Sequence, residues 1–173
     1  MMSNDNYLQE CKSLLDTMTR ENHHRVFDYY MCELEYDFLG FLDVYKDIPN
    51  KIPKDFTIID IGSYQAVQGQ YFKDFYKYIA VEPSVPKEYI AKYDNSISYN
   101  SSGQEFIGIL MPNLIKDNII DLYKTFCICS YVPDESLRKT WIPNNFPYYR
   151  CVYCEEKDEN LPEYFENQRR TIK

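Results

Sequence analysis

The chain has 173 residues and a mass of 20.8 kDa, a length that favours one domain over two. With 45% hydrophobic and 27% charged residues it is not a disordered chain, and no run approaches the ~18 apolar residues of a membrane span. A net charge of −8 and a sequence pI of about 4.8 argue against direct nucleic-acid binding, which clusters Lys and Arg against phosphates.

The first residues, Met1 to Asn6, carry no basic stretch leading into an apolar run, so no secretory signal is expected. Residues 5–47 read as helical. Leu8, Cys11, Leu14, Leu15 and Met18 recur at helical spacing, and a second run extends from Val26 to Tyr45. Asp47-Ile48-Pro49 ends that segment, and Pro53 marks a linker over 48–55.

From residue 56 the pattern changes. Phe56-Thr57-Ile58-Ile59-Asp60-Ile61 is a nearly continuous apolar, β-branched run, as in a strand buried on both faces of a parallel sheet. Gly62 stops it, and residues 65–76 read as a helix. Tyr78 to Val81 is a second buried strand, ending at Glu82-Pro83. A short helix is expected over 86–93, a third strand over Ile97 to Tyr99, and helices over 103–110 and 113–123 on either side of Pro112. Phe126 to Tyr131 forms a fourth strand. Pro133-Asp134-Glu135 opens a helix with acids at its N-terminus, where the helix dipole favours them, and Tyr149 to Tyr153 is the fifth strand. Strands alternating with helices predict an α/β fold: a doubly wound, mostly parallel sheet of about five strands behind an N-terminal helical segment. The expected organisation is a single domain, 1–173, with a helical segment over 1–50, a Rossmann-like core over 56–154 and an acidic tail over 155–173.

The six cysteines read as reduced, buried side chains of a cytoplasmic protein, because a core of this size needs no crosslinks. Cys127-x-Cys129 and Cys151-x-x-Cys154 have the composition of a zinc site. Strand parity, however, sends Cys151 and Cys154 to opposite faces, so no metal is expected. His23 and His24 are the two histidines. As helix neighbours they do not share a face, and they read as solvated, with His24 a candidate base only if the segment covers the pocket.

In open α/β sheets a ligand sits beyond the carboxyl ends of the strands, where the strand order reverses. The first turn here is Asp60-Ile61-Gly62-Ser63-Tyr64-Gln65-Ala66, and the second strand ends at Glu82, twenty positions after Gly62. Gly62 allows a tight turn and a close backbone approach. A carboxylate at Glu82 can accept hydrogen bonds from both ribose hydroxyls of an adenosine cofactor.

Over residues 56–154 this pattern resembles the class I S-adenosylmethionine-dependent methyltransferases. Asp60 and Gly62 stand at that family's strand-one acid and first glycine, Glu82 at its strand-two acid, and Phe126 to Pro133 at its fourth strand. The resemblance implies a methyltransferase-like sheet, S-adenosylmethionine as cofactor and, as the leading function, an S-adenosylmethionine-dependent methyltransferase or a degenerate relative that still binds adenosine-type ligands. It implies cofactor contacts at Asp60, Gly62, Ser63, Gln65, Glu82, Ser130 and Tyr131. Glu82 would hold the ribose, the backbone from Gly62 to Gln65 would approach the methionine end, and Tyr131 would line the substrate side.

The chain departs from that family in two ways. Tyr64 and Ala66 stand where its second and third glycines would be, and about nineteen residues follow the fifth strand, too few for the usual antiparallel edge. No G-x-G-x-x-G, P-loop or G-x-S-x-G motif is present, and neither a catalytic residue nor a methyl acceptor can be assigned. The alternative from another class is a non-catalytic, acidic module that binds a basic protein partner, for example an inhibitor of a nucleic-acid-binding protein.

Overall fold

The structure is a computed structural model, and it describes residues 42–152 and 159–162. The expected helices before residue 42, His23, His24, Cys154 and all of the acidic tail except residues 159–162 lie outside the described residues. The chain divides into two compact units, Met1–Lys46 and Asp47–Lys173. Of the first, only the end is described, within helix α1 (Leu42–Asp47). A 3-10 turn, Ile48–Lys51, carries the chain on past Pro49, which sits near its start where a missing N–H costs nothing.

The second unit is an α/β sheet. Its strands are β1 (Thr57–Ile61), β2 (Lys77–Val81), β3 (Ser96–Tyr99), β4 (Thr125–Cys129), β5 (Tyr149–Cys151) and β6 (Glu159–Asn160). They lie in the order β3-β2-β1-β4-β5-β6. The first five are mutually parallel, and β6 runs antiparallel to β5. The order reverses at β1, which pairs with β2 on one side and β4 on the other. Every residue of β1 and β4 is buried, as their unbroken apolar runs require.

The sheet has six strands where the sequence reading expects about five. The sixth is a two-residue edge, held by an ion pair at 3.5 Å between Arg150 Nε and Glu159 and by the Asn160 amide donating to the Pro147 carbonyl. No periodic signal marks so short a strand.

Four expected helices also differ. The segment after β1 forms only a 3-10 helix, Val67–Phe72, and the left-handed backbone of Ala66 just before it keeps a helix from starting earlier. The segment after β2 holds one 3-10 turn, Lys87–Tyr89. The two helices expected around Pro112 are one continuous helix, α2 (residues 103–116), with a wide π-type turn at Phe106–Leu110. There the Met111 N–H reaches the Phe106 carbonyl, five residues back. The same device recurs in α3 (residues 135–145), where the Ile142 N–H reaches Leu137 just before Pro143. A proline ring clashes with the carbonyl four residues earlier in a regular helix. The wide turn shifts that register and lets each helix pass its proline. α2 ends at Lys116, with Asn118 left-handed just beyond, a common helix stop. At the start of α3, Asp134 accepts from the Ser136 and Leu137 amides, so an acid caps this helix as expected.

α2 and α3 cover one sheet face, where Phe106, Met111, Leu137 and Ile142 pack on Ile61 and Val81. On the opposite face Phe72 stacks on Tyr78 at 5.9 Å. Cys127, Cys129 and Cys151 are buried within the α2/α3 core, and burial pushes the Cys127 thiol well above its ordinary value. No helix among the described residues is long and apolar enough to cross a membrane.

Phe106 has no solvent exposure, whereas Tyr123 is 75% exposed. Phe106→Ala is therefore expected to cost about 3–5 kcal/mol and Tyr123→Ala at most ~0.5 kcal/mol, measured by urea unfolding of both variants against the parent.

Candidate functional site

The site lies where the strand order reverses, at the carboxyl ends of β1, β2 and β4. Asp60, the fourth residue of β1, points into the face that carries Tyr78. It has no solvent exposure. Three side chains from three other segments donate to its carboxylate: Gln68 Nε2 at 2.7 Å, the Tyr78 hydroxyl from β2, and the Ser130 hydroxyl just beyond β4. Gln68 also donates to the Ser63 carbonyl at 3.1 Å, so the same amide supports the first turn. Burial pushes the Asp60 carboxyl up to about 6, against the pull of its three donors and with a smaller push from Glu82.

Beyond Ile61 the backbone becomes unusual. Gly62, Tyr64 and Ala66 all have positive φ, at 74°, 53° and 59°. Only the first is glycine. The left-handed region costs an L-residue roughly 1–2 kcal/mol, and for a bulky one it is a genuine outlier. Gly62 is needed for a second reason: a Cβ added there would overlap the Tyr131 carbonyl. The two loops meet backbone to backbone past the strand ends. The Ser130 amide donates to the Ile61 carbonyl at 2.9 Å, and the Tyr131 amide to the Gly62 carbonyl at 3.0 Å. Above them the rings of Tyr64 and Tyr131 pack with centroids 4.7 Å apart.

Glu82, one residue past β2, is 4% exposed. Its carboxylate clamps two turns at once: Oε1 accepts the Tyr64 amide at 3.0 Å and Oε2 the Ser84 amide at 2.8 Å. Burial holds this carboxyl above its ordinary range, while amide bonds from Ser84, Tyr64 and Val85 work the other way.

The seven residues singled out from sequence thus gather at one end of the sheet, in distinct roles. Asp60 bonds Ser130 directly, and Gly62 lies against Tyr131. Ser63 is buried, with its hydroxyl unpartnered among the described residues. Gln65 is also buried, and its carbonyl accepts the Ala91 amide at 2.7 Å. Tyr131 is 45% exposed. Asp60 is turned inward onto protein donors, so its task is to join segments. Glu82 keeps accepting capacity, since a carboxylate offers about four lone-pair sites, and Tyr131 offers a half-exposed ring. The described residues include no group of three or more His, Cys, Asp or Glu placed to hold a metal ion.

Sequence reasoning missed Gln68 and Tyr78 as partners of Asp60 and Tyr64 as a partner of Tyr131. The Tyr78 contact follows from register: Ile58 pairs with Tyr78 and Asp60 with Ala80, which puts Tyr78 on the face of Asp60. Gln68 carries no such signal.

No protein-family model matches the chain, and no curated protein is significantly similar to it.

Two outcomes follow from this geometry. Gly62→Ala combines a strained φ with a backbone overlap and is expected to cost roughly 2–5 kcal/mol, read from the shift in urea midpoint. The folded state holds the Asp60 proton more tightly than the unfolded chain does. This carboxyl therefore adds stability that is complete below about pH 4 and lost as pH rises to about 6. A shift from 3.8 to about 6 corresponds to about 3 kcal/mol. Urea unfolding at pH 5 and pH 7 should find the parent more stable at the lower pH, with the difference reduced in Asp60→Asn.

Proposed function

We propose that this chain is a non-catalytic, acidic protein-binding module on a methyltransferase-like, Rossmann-like scaffold, with its cofactor crevice closed by its own residues. The observation that carries this reading is the junction of the two loops at the reversal point. The amides of Ser130 and Tyr131 are bonded to Ile61 and Gly62, and the Tyr64 and Tyr131 rings pack over the join. A ligand at this point needs the loops after β1 and β4 to part. Here they are tied, and one ring of the tie stands at a position where a glycine turn would leave open space.

The fitting partner is a basic protein. Among the residues whose burial is described, only Asp60 and Glu82 are buried carboxylates; the other acids among them lie at least partly in solvent. With a net charge of −8, such a surface speeds encounter with a basic one.

A second reading, S-adenosylmethionine-dependent methyl transfer to an unassigned acceptor, is favoured by one feature. Glu82 sits at the end of β2 beside a turn with three left-handed residues, the place and chemistry of a ribose acceptor. The residues present fit the adenosine end better than the methionine end. Glu82 would hold the ribose, and the cofactor, when bound, would supply an electrophilic methyl group. Positioning alone can then promote transfer. This chain's own residues would orient the cofactor and exclude water, with Tyr131 at the open side.

Calorimetric titration with S-adenosylmethionine and S-adenosylhomocysteine separates the two. The module reading expects no saturable binding at millimolar ligand. A site that saturates and is lost in Glu82→Ala would replace it with the enzyme reading. For a basic partner, the association rate should fall as salt rises above ~0.15 M, where the screening length is near 8 Å; a rate indifferent to salt would remove the electrostatic part of the proposal.

A further inference from the structure

We infer that the β3 edge joins two copies of this chain, strand to strand across a two-fold axis at Ser98, so that one sheet runs through both. β3 (Ser96–Tyr99) is the outer strand on its side of the sheet. The Tyr78 amide donates to the Asn95 carbonyl at 3.1 Å, and the Glu82 amide to the Tyr99 carbonyl at 3.0 Å. Alternate residues of a strand direct their backbone groups to opposite sides. Asn95, Ile97 and Tyr99 therefore bond β2, while Ser96, Ser98 and Asn100 turn to the open side. The Ser96 amide is taken up by the Tyr93 carbonyl at 3.0 Å. The Ser96 carbonyl, both backbone groups of Ser98 and the Asn100 amide have no hydrogen-bond partner among the described residues. Such a row is a template for another strand unless something blunts it. At the opposite edge β6 is two residues long and carries Glu159. β3 holds neither a charge nor a proline, and its register with β2 runs without a bulge.

The spare groups match a second set of themselves. With the strands antiparallel and Ser98 opposite Ser98, each Ser98 amide reaches the Ser98 carbonyl of the other copy. Each Asn100 amide reaches the other copy's Ser96 carbonyl. Four bonds form, and none of them calls on the Ser96 amide. The side chains agree with this register. Ile97 pairs with Ile79 and Tyr99 with Val81, both in the α2/α3 core, so Ile97 and Tyr99 share that face. The two-fold sets each Ile97 against the other copy's Tyr99 at the closer, non-hydrogen-bonded spacing. A β-branched residue opposite an aromatic one is a favourable cross-strand pair, and Ile97, 39% exposed in one copy, gains cover. Charge selects the occupant. No charged residue lies between Asp94 and Glu105, so a basic partner finds no acid along this strand. Two chains of net charge −8 meet here where neither presents a like charge. The contact is isologous and closes at two copies, and it stands apart from the loop junction and the basic partner discussed above.

Sedimentation velocity on the full chain from ~1 μM to ~1 mM should show a reversible passage from 20.8 kDa to twice that mass. Added salt should strengthen the dimer, because it screens repulsion between two acidic chains; association with a basic partner responds the other way. Ile97→Lys puts a charge on the edge and removes the apolar pair. Ser98→Pro removes an outward amide that the β2 ladder does not use. Each should raise the dissociation constant more than roughly tenfold while the melting temperature shows the chain still folded. Register is tested by Ser98→Cys with diamide as the two-electron oxidant. Directly opposed residues of a hydrogen-bonded pair have Cα atoms about 5.5 Å apart, within disulfide reach, so covalent dimers should form. Asn100→Cys, which faces Ser96 rather than its own copy, should stay at the parent's background. A chain that remains monomeric to ~1 mM, or a dimer that Ile97→Lys and Ser98→Pro leave intact, overturns the inference. So does a Ser98→Cys protein that cross-links no better than Asn100→Cys. If one edge variant does not fold, the other and the two cysteine variants carry the same outcomes.

Discussion

The fold turns on a carboxylate that never meets solvent. Asp60 sits in the central strand and draws donors from β2, from the 3-10 helix after β1 and from the residue after β4. A buried polar group is tolerable only when its bonding capacity is used, and here the use is architectural. The hydroxyl of Ser130 fixes where the chain leaves β4, and Gln68 fixes the carbonyl of Ser63 and with it the first turn. The same burial that makes Asp60 a tie raises its proton affinity.

From that tie the shape of the candidate site follows. With Ser130 and Ser63 anchored, the loops after β1 and β4 run alongside each other, and the absent side chain of Gly62 lets them touch. Tyr64 is then held between the Glu82 carboxylate below and the Tyr131 ring beside it. The two buried acids act in concert on the turn, Asp60 through side chains and Glu82 through amides.

The helical layer on the α2/α3 face shows how local rules yield to the whole. Pro112 and Pro143 each stand where an isolated peptide would stop its helix. In the folded chain α2 and α3 continue through them, because Phe106 and Met111, and likewise Leu137 and Ile142, must reach the same core. One wide turn before each proline satisfies both demands.

Strands β1, β2 and β4 were legible in the chain because a strand buried on both faces is written as an unbroken apolar run, and such a run owes nothing to distant residues; β3 and β5, only partly buried, were legible from their place in the alternation of strands and helices. Gly62, Glu82, Ser130 and Tyr131 were legible as neighbours for a related reason: strand order places the ends of β1, β2 and β4 side by side. Tertiary structure alone decided the rest. Where a helix could begin within residues 65–76 depended on the left-handed backbone of Ala66, next to a turn whose Tyr64 is held by the Glu82 carboxylate and the Tyr131 ring from 18 and 67 positions away. The two-residue β6 depended on a pairing with β5 that no local period encodes. Asp60 could be read as a strand-end acid, but its turn inward onto Gln68, Tyr78 and Ser130 could not. Local sequence sets what a segment can do at small cost, and only long-range contacts decide which costs are met.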